Sequence, residues 1–262
     1  MKIGFIGAGN MGSAIIGGIV KNSISDNIIV YDKNKEGLVK LSDKFGINIA
    51  KDNIEVVKES DILFLAIKPN ILYDVIDEIK DDVNEETVIV SIVAGQSIEK
   101  IENAFGKNIK LVRVMPNTPA LVGEGMSALC KNDDVTDKDM EVVLNIFKGI
   151  GVAEEVSECM MDAVTAVSGS SPAYVFMFIE AMADAAVMGG MPRDKAYTFA
   201  AQAVLGSAKM VLETKKHPGE LKDMVCSPGG TTIDAVAVLE KSGFRSSVIE
   251  AVTKCIEKSK NM

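Results

Sequence analysis

The sequence predicts a two-part protein: an α/β, doubly wound sheet over residues 1–157, followed by an all-α domain over residues 158–262. Three observations carry this. Short β-rich runs alternate with helical patterns up to about Arg113, a glycine-rich turn follows the first of those runs, and from Glu158 onward Ala- and Met-rich stretches at helical spacing take over. Strand–helix alternation implies parallel strands between two helical layers, because each crossover returns over a face of the sheet.

Strands are expected at Lys2–Ile6, Ile28–Tyr31, more weakly at Ile47–Ile49, then at Asp61–Ala66, Val88–Ile92 and Lys110–Val114. Several are nearly continuous Ile, Val, Leu and Phe, the pattern of strands buried on both faces. Gly125–Cys130 and Val152–Val156 flank a helical Lys138–Gly149 and are expected to extend the sheet. In the second part, breaks at Ser168–Pro172, Gly189–Pro192, His217–Gly219, Ser227–Gly230 and Ser242–Gly243 separate about five helices. Ala173–Met191 is apolar and long enough to suggest a membrane span, yet it carries Glu180 and Asp184 and reads as a buried helix. Met182, Met188, Met191 and Met210 on these helices predict burial inside the domain or against a second subunit, which favours a homodimer.

Composition narrows the function classes. With 47% hydrophobic and 25% charged residues the chain is globular in type. Its net charge of -9 opposes non-specific attraction to nucleic acid or anionic lipid, so neither nucleic acid nor a membrane is expected as a partner. Cys130, Cys159, Cys226 and Cys255 stand far apart with no C-x-x-C pair, which predicts neither disulfides nor a metal site and fits a reducing cytoplasm. Lys2 and the uncharged run Ile3–Val20 imitate a secretory leader, but Gly7, Gly9, Asn10 and Gly12 interrupt the apolar run and no A-x-A site follows.

The run Ile3–Ile6 leads into Gly7-Ala8-Gly9-Asn10-Met11-Gly12, and a helical pattern follows from Ser13 to Lys21. Gly7 permits the tight turn and Gly9 lets the backbone approach a pyrophosphate. Gly12 lets the helix pack on the strand with its N-terminus facing the phosphates. A bare G-x-G-x-x-G recurs by chance. Here it follows a strand, opens a helix and precedes, by about 20 residues, Asp32 at the end of the second strand, where an acid bonds a ribose 2′-hydroxyl. That conjunction predicts a Rossmann-type unit and a reductase using a nicotinamide cofactor. Asp32 would repel a 2′-phosphate, whereas Lys33-Asn34-Lys35 either attract one or open a solvated helix, so NADH and NADPH both stay open. Lys68, in Ala66-Ile67-Lys68-Pro69-Asn70, stands where a switch-point crevice would lie, as a cofactor contact or an ordinary loop lysine.

Three further motifs coincide with one family: Arg113-Val114-Met115-Pro116-Asn117-Thr118-Pro119-Ala120, Val167-Ser168-Gly169-Ser170-Ser171-Pro172-Ala173-Tyr174, and the run from Leu221 to Thr232 that contains Ser227-Pro228-Gly229-Gly230-Thr231-Thr232. With the glycine turn, they make the chain resemble pyrroline-5-carboxylate reductases, the last enzymes of proline biosynthesis, from end to end. The Ser-Pro-Gly-Gly-x-Thr element is highly specific to that family, while the glycine fingerprint is widely shared. Ser171 and Thr231 depart from the common pattern, and both are small. The resemblance implies a Rossmann-type domain followed by a helical dimerisation and substrate-binding domain, often assembled into larger rings of dimers.

It also implies reduction of L-1-pyrroline-5-carboxylate to L-proline by hydride transfer from NADPH or NADH. Cofactor contacts map onto Gly7, Ala8, Gly9, Asn10, Met11 and Gly12, onto Asn53, and onto Ala66, Ile67, Lys68 and Pro69. The loops at Ala94 and Gly95 and at Met115, Asn117 and Thr118 complete that set. The substrate, a small cyclic imine carboxylate, maps onto Ser227, Gly229, Gly230, Thr231 and Thr232. Thr232 is assigned by the resemblance to hydrogen-bond the ring nitrogen and aid proton delivery; by its position alone it is equally an N-cap after a Pro-Gly turn.

The chemistry suits these residues. An imine nitrogen can be protonated before hydride arrives, so little general acid catalysis is needed, and His217, the only histidine, reads as part of an exposed turn. Ser227–Thr232 precedes a helical run, Ile233–Lys241, whose N-terminal amides suit a carboxylate. One rival is a β-hydroxyacid dehydrogenase, which places a catalytic Lys and Asn on the helix after a Gly-rich turn; here that helix reads Ala173-Tyr174-Val175-Phe176-Met177-Phe178. A non-catalytic nicotinamide-binding regulator is the other, and the intact substrate loop argues against it.

Overall fold

Strand β1 (Ile3–Ile6) pairs in parallel with β2 (Ile28–Tyr31) on one side and with β4 (Ile62–Leu65) on the other, Ile3 standing in register with both Ile28 and Ile62. In this computed structural model, which describes residues 1–261, the sheet has eight strands. Their order is β3 (Asn48–Ile49), β2, β1, β4, β5 (Val88–Ser91), β6 (Lys110–Met115), β7 (Gly125–Lys131) and β8 (Gly151–Glu155). The two late runs do extend the sheet. β7 lies antiparallel to β6, and β8 parallel to β7. The weakly predicted third strand is two exposed residues at the sheet's edge.

Side chains alternate across the pleat, so continuous apolar strands feed two cores. On one face Phe5 stacks on Phe64 with ring centroids 4.4 Å apart, and Phe64 meets Phe147 at 6.1 Å. Helices α1 (Asn10–Lys21), α2 (Lys35–Phe45) and α6 (Asp137–Lys148) contribute to that core. On the other face Ile6, Leu63, Leu65 and Ile89 pack with α3 (Asn53–Lys58), α4 (Leu72–Ile79) and α5 (Ile98–Phe105). The start of α6 is fixed by a capping box in which Thr136 and Asp139 satisfy each other's backbone amides.

Two units can be distinguished: Met1–Ser170 with the end of the chain from Ile256, and Ser171–Cys255. The first unit closes with the short α7 (Met161–Val164) and a π-helical turn, Thr165–Ser170; Ser259, near the chain end, donates to Asp162 at 2.6 Å. The second consists of α8 (Ser171–Met188), α9 (Arg193–Thr214), α10 (Pro218–Val225), α11 (Thr231–Lys241) and most of α12 (Phe244–Lys260).

Contrary to the expectation of a buried helix, α8 buries only Ala183 within the chain, and α9 only Ala196 and Ala200. Phe176 is 62% exposed, Met177 68% and Phe199 65%. Helix α8 is apolar nearly all round, α9 presents large apolar side chains among its charged ones, and one chain supplies too few neighbours to cover them. The helical run Glu158–Met188 is long and apolar enough to cross a membrane by length and composition alone.

Candidate functional site

The glycine turn is built by close contacts at the carboxyl ends of β1, β2 and β4. Gly7 donates its amide hydrogen to Tyr31 O at 2.8 Å, and Ala66 donates to Ile6 O at 2.9 Å. At Gly7, φ is 99°, and a Cβ there would lie 2.3 Å from Ala66 O. A Cβ on Gly12 would come within 2.9 Å of Gly7 O, so strand and helix approach more closely than a side chain permits. Gly9 differs: a Cβ there would meet nothing within 4 Å, leaving open space beside its backbone. Gly9 is also the N-cap of α1 and supplies no side-chain cap. The amides opening the helix thus keep their capacity for an anion, and the dipole favours one there.

Asp32, at the end of β2, accepts from the Ala8 amide at 2.7 Å and from the Asn34 amide at 2.8 Å. A cavity of about 100 Å³ beside it is lined by Gly7, Asp32, Lys33, Asn53 and Ile67 among others. Asn53, the first residue of α3, is 5% exposed. Its Nδ2 donates to Glu78 Oε2 at 2.8 Å, while its Oδ1 is buried without a partner. An orphaned buried acceptor beside a free helix N-terminus fits a dinucleotide, which brings ribose hydroxyl donors and a pyrophosphate. Lys68 is exposed at the carboxyl end of β4, at the N-cap of a 3₁₀ turn, Pro69–Ile71.

Three of the sequence-predicted groups thus converge: Gly7–Gly12, Asp32 with Asn53, and Ala66–Pro69. Ala94 and Gly95 follow β5, Met115 ends β6, and Asn117 and Thr118 follow it, along the same carboxyl edge. Asn117 has a bracing role. Its Nδ2 donates to Ser168 O at 3.0 Å and its Oδ1 accepts from the Met126 amide at 2.8 Å, tying the loop after β6 to the π-helical turn and to β7. Arg113 is likewise engaged within the fold, paired with Glu158 at 2.8 Å, and the same carboxylate oxygen accepts from the Ile98 amide at 2.7 Å. Glu78 was missed by sequence reasoning. It lies 25 positions beyond Asn53, on the exposed side of an ordinary amphipathic helix, and no local pattern distinguishes it.

In the second unit, Ser227–Gly230 forms a turn closed by the Gly230 amide donating to Ser227 O at 3.0 Å, with Gly229 at φ 67°. Helix α11 then begins at Thr231, two residues earlier than expected. Thr231 and Thr232 are therefore in its first turn, and the N-cap is Gly230, without a side-chain hydrogen bond. Thr232 is not the N-cap, which removes that structural explanation for it. His217 caps α10, its Nδ1 accepting from the Gly219 amide at 3.0 Å, and its side chain is exposed as expected.

Comparison with known proteins converges on one family. The model for pyrroline-5-carboxylate reductase dimerisation matches residues 158–262, and a model described as NADP oxidoreductase, coenzyme F420-dependent, matches residues 2–95. The pyrroline-5-carboxylate reductase of Escherichia coli is 56% identical, covering 100% of this chain and 98% of its own. That of Methanosarcina acetivorans is 47% identical, with 100% and 97% covered. Among solved structures, Plasmodium falciparum pyrroline carboxylate reductase with NADP bound superposes with a TM-score of 0.91 at 38% identity, covering 100% of this chain and 97% of that one. These matches span the glycine turn and the helical domain alike. The chain therefore belongs to the pyrroline-5-carboxylate reductases, NAD(P)H-dependent oxidoreductases that reduce pyrroline-5-carboxylate in proline biosynthesis.

Proposed function

We propose that Ser227, Gly229, Gly230, Thr231 and Thr232 hold the substrate in the reduction of L-1-pyrroline-5-carboxylate to L-proline, and that Thr232 is the catalytic residue. The observation that carries this reading is the start of α11: its first-turn amides have no side-chain cap, and two threonine hydroxyls stand among them. The amides receive the substrate carboxylate, assisted by the helix dipole, and Ser227 adds a hydroxyl donor. Thr232 hydrogen-bonds the ring nitrogen and helps deliver its proton. The reduced nicotinamide, when bound, supplies the hydride for the imine carbon. Gly7 to Gly12 cradle the pyrophosphate. Asp32, Asn53, Ala66, Ile67, Lys68 and Pro69 hold the adenosine side, and the loops at Ala94–Gly95 and Met115–Thr118 complete the cofactor site. Catalysis is then mostly positioning.

Thr232→Ala and Thr232→Ser test the role. Alanine should lower kcat/KM about 100-fold, a typical general-acid contribution, and serine should restore most of it. Unchanged kcat/KM in the alanine variant would remove Thr232 from the chemistry.

The chain oligomerises through the domain matched by the dimerisation model. The finer reading is a cytoplasmic homodimer, assembled into a larger ring of dimers, with neither nucleic acid nor membrane as partner. The bare apolar sides of α8 and α9 support a second subunit as their cover, since the dimerisation model spans both helices.

A further inference from the structure

Glu78, on α4, is the only hydrogen-bond partner of the Asn53 side chain among the described residues. A carboxylate can only accept, so this bond dictates which end of the Asn53 amide faces Glu78. One Nδ2 hydrogen is committed to Glu78, and Oδ1, buried and without a partner, is the acceptor left for a ligand on a residue that lines the cavity with Gly7, Asp32 and Lys33. We infer that Glu78 is a positioning residue of the cofactor site, presenting Asn53 as a hydrogen-bond acceptor to the adenosine ribose and thereby biasing the protein toward NADH over NADPH.

The inference rests on the dinucleotide reading of this cavity. A ribose 2′-hydroxyl can donate to Oδ1. A 2′-phosphate at neutral pH has essentially only acceptors, so it meets Oδ1 acceptor against acceptor. Asp32, which lines the same cavity, adds a second acceptor and a negative charge; Lys33 opposes them. Glu78 itself is exposed, so its charge is screened by salt and its influence passes through the amide it holds.

The test is a double-mutant cycle on the full chain, pairing Glu78→Gln with Asn53→Ala. Equilibrium binding of NADH and of NADPH is read by nicotinamide fluorescence without imine substrate. Glutamine can both donate and accept, so it no longer enforces the amide's orientation. Glu78→Gln should move the Kd ratio toward NADPH about tenfold when Asn53 is present and leave it fixed when residue 53 is Ala, the signature of coupling through one partner. The shift should persist at high salt. An equal shift in the Asn53→Ala background, or one abolished by salt, would overturn the inference by assigning the effect to charge alone. A parallel rise in both Kd values, or no change in ratio, overturns it equally. A wild-type protein that binds neither cofactor would instead defeat the dinucleotide reading on which it rests.

Discussion

Asp32 Oδ2 accepts the Ala8 amide hydrogen at 2.7 Å while Oδ1 accepts that of Asn34 at 2.8 Å, so one carboxylate holds the glycine turn against the start of α2. Asp32→Asn keeps the shape and removes the charge. NADPH affinity should rise about tenfold relative to NADH, equivalent to ~1.4 kcal/mol, and the melting temperature should fall by a few degrees as charge-assisted bonds weaken. Fluorescence titration and calorimetry read the two effects. An unaltered cofactor ratio would show that this charge does not discriminate between the cofactors.

His217 is accounted for by its cap on α10. His217→Asn should preserve stability and turnover. His217→Ala should cost about 1 kcal/mol in chemical denaturation, with kcat within about three-fold. A loss of several orders in kcat would restore a catalytic role.

Cys130 is buried on β7, and its thiol is pushed up to about 12 by desolvation first and then by Glu158, with Arg113 opposing and Glu155 adding the least. At pH 8 its thiolate fraction is on the order of 10⁻⁴, so iodoacetamide should label it only after denaturation. Because the folded value lies above the unfolded one, the contribution to stability is complete below pH ~9 and is lost as pH rises toward about 12. Cys130→Ala should remove that part of the alkaline decline in denaturation curves recorded from pH 8 to 11.

Phe176 reports on assembly. It is 62% exposed on α8, and a charge there cannot be buried unpaired against another subunit. Phe176→Glu should yield smaller particles by light scattering, with activity falling in step. Retention of the wild-type mass would place the subunit contact elsewhere.

Much of this was legible in the sequence. Burial on both faces leaves unbroken apolar runs such as Ile62–Leu65, and the glycine turn is recognisable because its backbone approaches leave no room for a Cβ at Gly7 or Gly12. The direction of β7 left a usable signal: its connection to β6, Pro116–Glu124, is shorter than the roughly dozen residues a parallel crossover needs. The start of α11 was obscured because glycine caps it, and the pair Thr231-Thr232 reads equally as loop or first turn. Glu78 and the bracing role of Asn117 depend on distant partners, so no local spacing encodes them. The apolar character of α8 indicated a helix and left open whether its own domain or a second subunit covers it.

The bare sides of α8 and α9 bear on how the protein is made. With a second copy as their cover, as proposed, each new chain would complete its apolar interior only on meeting another, and the yield of assembled protein would follow concentration. Two differently tagged populations mixed after purification should remain separate, whereas the same two synthesised in one cell should form hybrids.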